Sequence, residues 1–245
     1  CSNHLKQLSL AAANHESLHG WYPTGGWSKR WIGLPAQGYG KEQPGGWAYN
    51  LLPFVEQATV NDLGGPRPGD PADLAGNTQR LQTPLPIFHC PTRRAAANYP
   101  TTRVFLHADP ARAVARNDYA FNGGHRAFLY GDGPDSLADA PMFAWPDSSL
   151  VTGISYQRSQ VSHAAVSDGT SATYMVAEKH LHVASYLDGT DQGDNESAYS
   201  GDDRDLVRYS GGEADVTFRP LSDVFSSEQA GLIFGSAHAG GFLAA

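Results

Sequence analysis

Glycine and proline set the terms on which this chain can fold. It holds 27 glycines and 16 prolines in 245 residues, about one position in six. Glycine loosens the backbone and proline removes a donor, so each interrupts regular structure. A coiled coil or helical bundle needs long runs of Ala, Glu, Lys and Leu, and only 17% of these residues are charged. Disorder is excluded from the other side. Five Trp, 11 Tyr and 10 Phe carry too much apolar surface to stay wet. The expectation is one loop-rich globular domain over residues 1–245, without internal repeats.

Net charge is −8, and no basic stripe offsets it, so nucleic acid is not an expected partner. No run approaches the 18 apolar residues of a membrane span. The chain begins at Cys1 without an initiator Met, and the expectation is that an upstream segment is missing. Its two cysteines, Cys1 and Cys90, cannot make a zinc site by themselves. They are either two free thiols or a disulfide closing a loop of about 90 residues, worth roughly 4–5 kcal/mol on the chain-entropy model.

Residues 2–19 read as a helix, with Leu5, Leu8, Ala12 and His15 at three- and four-residue steps, a cap at Ser2 or Asn3, and Gly20 as the stop. Residues 20–47 interleave Trp21, Trp27, Trp31 and Trp47 with glycines. Residues 64–73 form a Pro/Gly loop, 85–90 a Pro-flanked edge strand, and the Ala-rich 95–115 a short helix. Strands are predicted around 117–121, 154–161, 173–177 and 232–234, and a long acidic, Gly-rich loop at 188–215.

Six blocks together carry a resemblance. They are residues 1–7 (CSNHLKQ), 44–57 (PGGWAYNLLPFVEQ), 87–91 (IFHCP), 117–119 (NDY), 168–174 (DGTSATY) with Glu178 and Lys179, and 235–241 (GSAHAGG). In order and spacing the chain resembles the pilin-like bacterial proteins grouped as domain of unknown function 1559. The resemblance implies an α+β headpiece, its N-terminal helix packed on an antiparallel sheet drawn from residues 85–245. It also implies a structural subunit of a pseudopilin or type IV pilin-like filament or secretion-related assembly. Such a subunit self-associates and reaches the membrane through a hydrophobic helix upstream of Cys1, processed by the prepilin peptidase. The expected location is the cell envelope, periplasmic or on the extracellular surface, and no catalysis is expected. His238 matches the family's named histidine, while its Asp-Gly partner would fall beyond Ala245. Because Cys1 and Cys90 both sit in resembling blocks and the envelope is oxidising, the resemblance implies a Cys1–Cys90 disulfide. The alternatives are two buried thiols, or a lipid-carrying Cys1 as in lipoproteins.

Seven carboxylates crowd residues 188–205, opposed within that stretch only by Arg204. Their repulsion is relieved by solvation, by pairing with Arg208, or by Ca²⁺, with Asp191, Asp194, Asp202 and Asp203 as candidate ligands; no EF-hand spacing is present. His163, His180, His182 and His238 lack any His-Glu-x-x-His pattern, and Ser236 lacks the Gly-x-Ser-x-Gly elbow. The alternative function is a cell-envelope carbohydrate-binding module, with Trp21, Trp27, Trp31 and Trp47 as a sugar platform. Against it stands the simpler reading that the indoles fill the core.

Overall fold

The computed structural model describes residues 1–129, 131–213, 216–225 and 230–245. Helix α1 (Ser2–His19) buries Leu5, Leu8, Ala11, Ala12 and His15, one face at the helical period. Gly20 ends it with φ 86°, a left-handed turn that favours glycine, and its N–H donates to the Glu16 carbonyl at 2.7 Å. The expected Ser2 or Asn3 cap is not formed. Cys1 takes the cap position without a side-chain hydrogen bond, because its sulfur is bonded elsewhere.

Helix α1 lies on α2 (Trp47–Leu51) and the 3-10 turn Leu52–Val55 that Pro53 tightens. A short α3 (Ala58–Asn61) leads into α4 (Pro71–Leu81). The expected 64–73 loop thus ends three residues early, since Pro71 suits a first helical turn and Asp73 accepts from the Gly69 N–H at 2.7 Å.

Among the described residues, the expected antiparallel sheet is instead four small sheets. β1 (Asn98–Pro100) and β2 (Ala113–Ala115) form an antiparallel pair where a helix was predicted. β3 (Tyr119–Asn122) is central, with β4 (Val176–Glu178) antiparallel on one side and β5 (Val207–Arg208) parallel on the other. β6 (Gly211–Glu213) pairs β7 (Val216–Phe218) antiparallel, and β8 (Leu221–Ser222) pairs β9 (Gly235–Ser236) in parallel. The predicted 85–90 strand is a 3-10 turn at Pro86–Phe88, and 154–161 holds no strand. Residues 232–234 contribute only single bridges, to Tyr209 and Lys179. Part of the predicted acidic loop is strand β5, and its positions 214 and 215 lie outside the described residues.

The strands stay short because so many backbone groups bond side chains instead. Gln43 alone serves Leu34 N and O, Gly38 O and Gly45 N. Close backbone approach does the rest: a Cβ on Gly33 would stand 2.0 Å from the Tyr49 ring. The core is aromatic, with Trp47 stacked on Phe121 at 4.7 Å and Trp27 edge-on to Trp31 at 4.7 Å. Their indole N–H groups donate to the carbonyls of Leu206, Lys41 and Pro134.

Candidate functional site

Cys1 and Cys90 are joined, with Cα atoms 5.2 Å apart, inside the range a disulfide requires. A sulfur so bonded cannot also carry a lipid thioether. The bond suits an oxidising compartment. Among the described residues no helix is long and apolar enough to cross a membrane.

Around this bond the structure gathers blocks that lie far apart in sequence. Asp118 Oδ2 accepts from the Cys90 N–H at 2.8 Å, and the Asp118 N–H donates to Phe88 O at 2.8 Å. His4 Nδ1 and the Tyr119 hydroxyl both meet His89 O, at 3.0 and 3.3 Å. On β4, Glu178 faces the disulfide: its carboxylate stands 3.0 Å from His238 Nε2, which lies 3.6 Å from Cys90 Sγ. Ser236 Oγ and the Leu243 N–H both donate to Glu178 Oε2 at 2.9 Å. His238 therefore pairs with Glu178.

Directly behind the disulfide lies a buried charge network. Arg93 and Arg94 follow Cys90 and share Asp118, with contacts of 3.5 and 2.8 Å. Arg93 also grips Asp223 at 2.9 Å, and Arg94 takes Asp194 through two bonds. Lys179 Nζ adds 3.0 Å to Asp194 and donates to the carbonyls of Gly193 and Asp205. All these side chains are at most 2% exposed. Burial alone would push the Asp118 and Asp194 carboxyls up, but the guanidinium groups, joined by Lys179 at Asp194, outweigh it and hold both below the usual carboxylate range. Burial pulls Lys179 down, against Asp194.

A second buried cluster has the opposite balance. Asp202 and Asp203 line a cleft of about 270 Å³ together with Lys29, Arg103 and Arg204, and Glu196 and Asp205 interact with Asp203. Burial, then Asp205 and Asp203, push Glu196 up to about 11, although Arg103 Nε stands 2.8 Å from its carboxylate. Burial and Asp205 raise Asp203 to about 6, and burial raises Asp202.

These two clusters undo the calcium ligand set. Asp194 already has Arg94 and Lys179, and Asp191 accepts from the Gly193 N–H at 2.8 Å and the His182 N–H at 3.4 Å. Asp202 and Asp203 lie in the other cluster, so the four carboxylates do not converge. Arg208, the expected partner of the loop, donates to the carbonyls of His180, Gly193 and Ala230 and lies in the field of Asp191, Asp205 and Asp194. The histidines disperse likewise: His163 meets the Tyr22 hydroxyl, His180 Nε2 meets Phe225 O, and His182 caps a 3-10 turn. The sugar platform does not form. Trp27, Trp31 and Trp47 are at most 1% exposed, leaving only half-buried Trp21 at the surface, and a ring without an open face cannot stack on a pyranose.

Sequence reasoning singled out Cys1, Cys90 and His238 but missed Glu178 as their neighbour and the whole Arg93–Arg94–Lys179 network. The signal was present: these residues fall in or beside the resembling blocks. No curated protein and no solved structure matches the chain. The family described as "Protein of unknown function (DUF1559)" matches residues 1–245, the whole of the sequence, and the chain belongs to that family.

Proposed function

We propose that this chain is the headpiece of a pilin-like structural subunit of the cell envelope, assembling with copies of itself along its N-terminal helix. The observation that carries the reading is the seating of α1. One face is buried and its root is bonded to the body through Cys1–Cys90, while the outer face leaves Leu10 63% and Leu18 70% exposed. A helix fixed in this way transmits load from an upstream segment into the disulfide and the ion-paired core behind it. Exposed leucines eight residues apart lie on one outward face, which a second copy would cover. The reading assigns the chain no catalytic step.

Photo-crosslinking amino acids at Leu10 and Leu18, in the full-length protein in its native envelope, test this. The expected product is a ladder of multimers of this chain. Monomer alone at both positions contradicts the proposal.

A further inference from the structure

We propose that Cys1, Cys90, His238 and Glu178 form a binding site for a zinc-class divalent ion when the Cys1–Cys90 disulfide is reduced. The inference rests on the geometry at the disulfide and is independent of filament assembly. The two sulfurs, a His238 ring nitrogen and a Glu178 carboxylate oxygen all lie within 4.8 Å of one another. Among the described residues, no other group of three or more His, Cys, Asp or Glu side chains meets that condition. A tetrahedral zinc site has metal–ligand bonds of about 2.0–2.3 Å, which puts neighbouring ligand atoms about 3.3–3.8 Å apart. His238 Nε2 is already 3.6 Å from Cys90 Sγ and 3.0 Å from the Glu178 carboxylate. The two sulfurs must separate from bonding distance, and the His238–Glu178 contact must widen by about 0.3 Å to reach tetrahedral spacing. Cys1 is the more exposed partner, at the root of α1, and rotation about its χ1 opens the pair.

The surroundings suit a metal ligand set. Glu178 is fully buried, and its Oε1 takes no well-aligned hydrogen bond, while Ser236 Oγ and the Leu243 N–H fix Oε2. Such outer contacts orient a carboxylate for a metal. The Ser236 hydroxyl also accepts from the His238 N–H at 2.9 Å, steadying the turn that presents the imidazole. A cleft of about 200 Å³, lined by Ser222, Ser236, His238, Gly241 and Phe242 among others, opens onto the site from solvent. Two thiolates and an imidazole select zinc-class ions over calcium or magnesium.

The chemistry balances with a dithiol reductant. Its two thiols deliver two electrons and two protons to the Cys1–Cys90 bond, leaving two cysteine thiols and the reductant's own disulfide. The divalent ion then displaces the two thiol protons to solvent as it binds both sulfurs. Oxidation reverses the sequence and expels the ion, so the disulfide and the metal exclude each other.

Cobalt(II) is the probe, because tetrahedral thiolate coordination gives intense visible d–d bands and near-ultraviolet charge transfer. Chain 1–245 is reduced with a phosphine, desalted, and titrated with Co²⁺ alone, its fold followed by circular dichroism. The expected result is one tetrahedral Co²⁺ per reduced chain, displaced by Zn²⁺, with no such spectrum from the oxidised chain. His238→Ala, at a partly exposed position, is expected to weaken Co²⁺ binding more than about 100-fold, beyond the range for losing an outer contact. Glu178→Gln is expected to weaken it in the same direction. A reduced, folded chain without the tetrahedral spectrum overturns the proposal. A spectrum that neither variant changes overturns it too, as does a chain that unfolds on reduction and is not restored by Zn²⁺.

Discussion

Asp194 and the carboxylates at 196–205, less than a dozen residues away in sequence, meet opposite fates in this fold. Asp194 shares the core with Asp118, Arg93, Arg94 and Lys179, and its negative charge is answered by two cations. Glu196 and Asp203 lie with Asp202 and Asp205, and the guanidinium in direct contact, Arg103, is 41% exposed. Burial costs both groups the same solvation. Where cations are buried alongside, the carboxylates stay ionised and the network can hold the disulfide corner rigid. Where they are not, burial and neighbouring carboxylates raise Glu196, Asp202 and Asp203 above the usual carboxylate range. The difference shows that burial of an acid predicts nothing about its charge until its partners are known.

The largest effect is expected from unbalancing the compensated cluster. Arg94→Leu leaves Asp118 to Arg93 and Asp194 to Lys179 alone and is expected to cost about 3–5 kcal/mol, the range for removing one partner of a buried ion pair. Urea unfolding measures it. A loss below about 1 kcal/mol would mean that this network contributes no more than a surface pair.

The pH dependence of stability comes next, and the two clusters pull it in opposite directions. Asp194 and Asp118 hold their protons more weakly in the fold than when unfolded. Their contribution is present above the usual carboxylate value and lost as pH falls below it. Asp203, raised to about 6, and Glu196, raised to about 11, hold theirs more tightly. Their contribution is present below the usual carboxylate value and drains as pH rises through those values. Five histidines that burial holds below their usual value, His15 at about 4, add stability as pH rises, so the acids' share is read as a difference: Glu196→Gln is expected to gain about 2–4 °C in melting temperature over the parent chain between pH 5 and 7, the shift made by about 1 kcal/mol at this chain length. A difference between the two chains that stays flat or shrinks from pH 5 to 7 would contradict the assignment.

Smaller effects sharpen the contrast. Glu196→Gln removes an acid that is already neutral in the fold, so at pH 7 it is expected to be neutral or stabilising by about 1 kcal/mol, with a flatter pH profile above 5. Smallest of all is the exposed pair Lys29–Asp132, at 3.3 Å with both side chains about half exposed. Asp132→Asn is expected to change stability by less than about 0.5–1 kcal/mol. Chemical denaturation at matched ionic strength compares it directly with Arg94→Leu.

How much of this was legible follows from the range of each interaction. Helix α1 and its Gly20 stop depend on neighbours three and four residues away, and the periodic Leu5, Leu8, Ala12 and His15 pattern carries them. The disulfide came through resemblance, since nothing local marks Cys1 as the partner of Cys90. The strands around 154–161 were misread because apolar residues there pack as irregular loop, and β1 and β2 because alanine content outweighed the turn between them. The tryptophans gave composition without burial: only the surrounding chain shows that Trp27, Trp31 and Trp47 lie inside. The site was hidden most completely. Arg94 and Asp194 are 100 residues apart, and His238 and Glu178 are brought together by the β8–β9 pairing and the chain's last residues. Repulsion within 188–205 was legible, but the cations that pair with Asp194 come from residues 94 and 179.

The claim that neighbouring carboxylates divide by compensation is tested most directly by side-chain carboxyl ¹³C titration of the folded, oxidised chain. The account predicts that Asp194 remains ionised and Glu196 remains protonated at pH 7, in the same sample. Glu196 ionising in the ordinary carboxylate range, with Asp194 unchanged beside it, would contradict it.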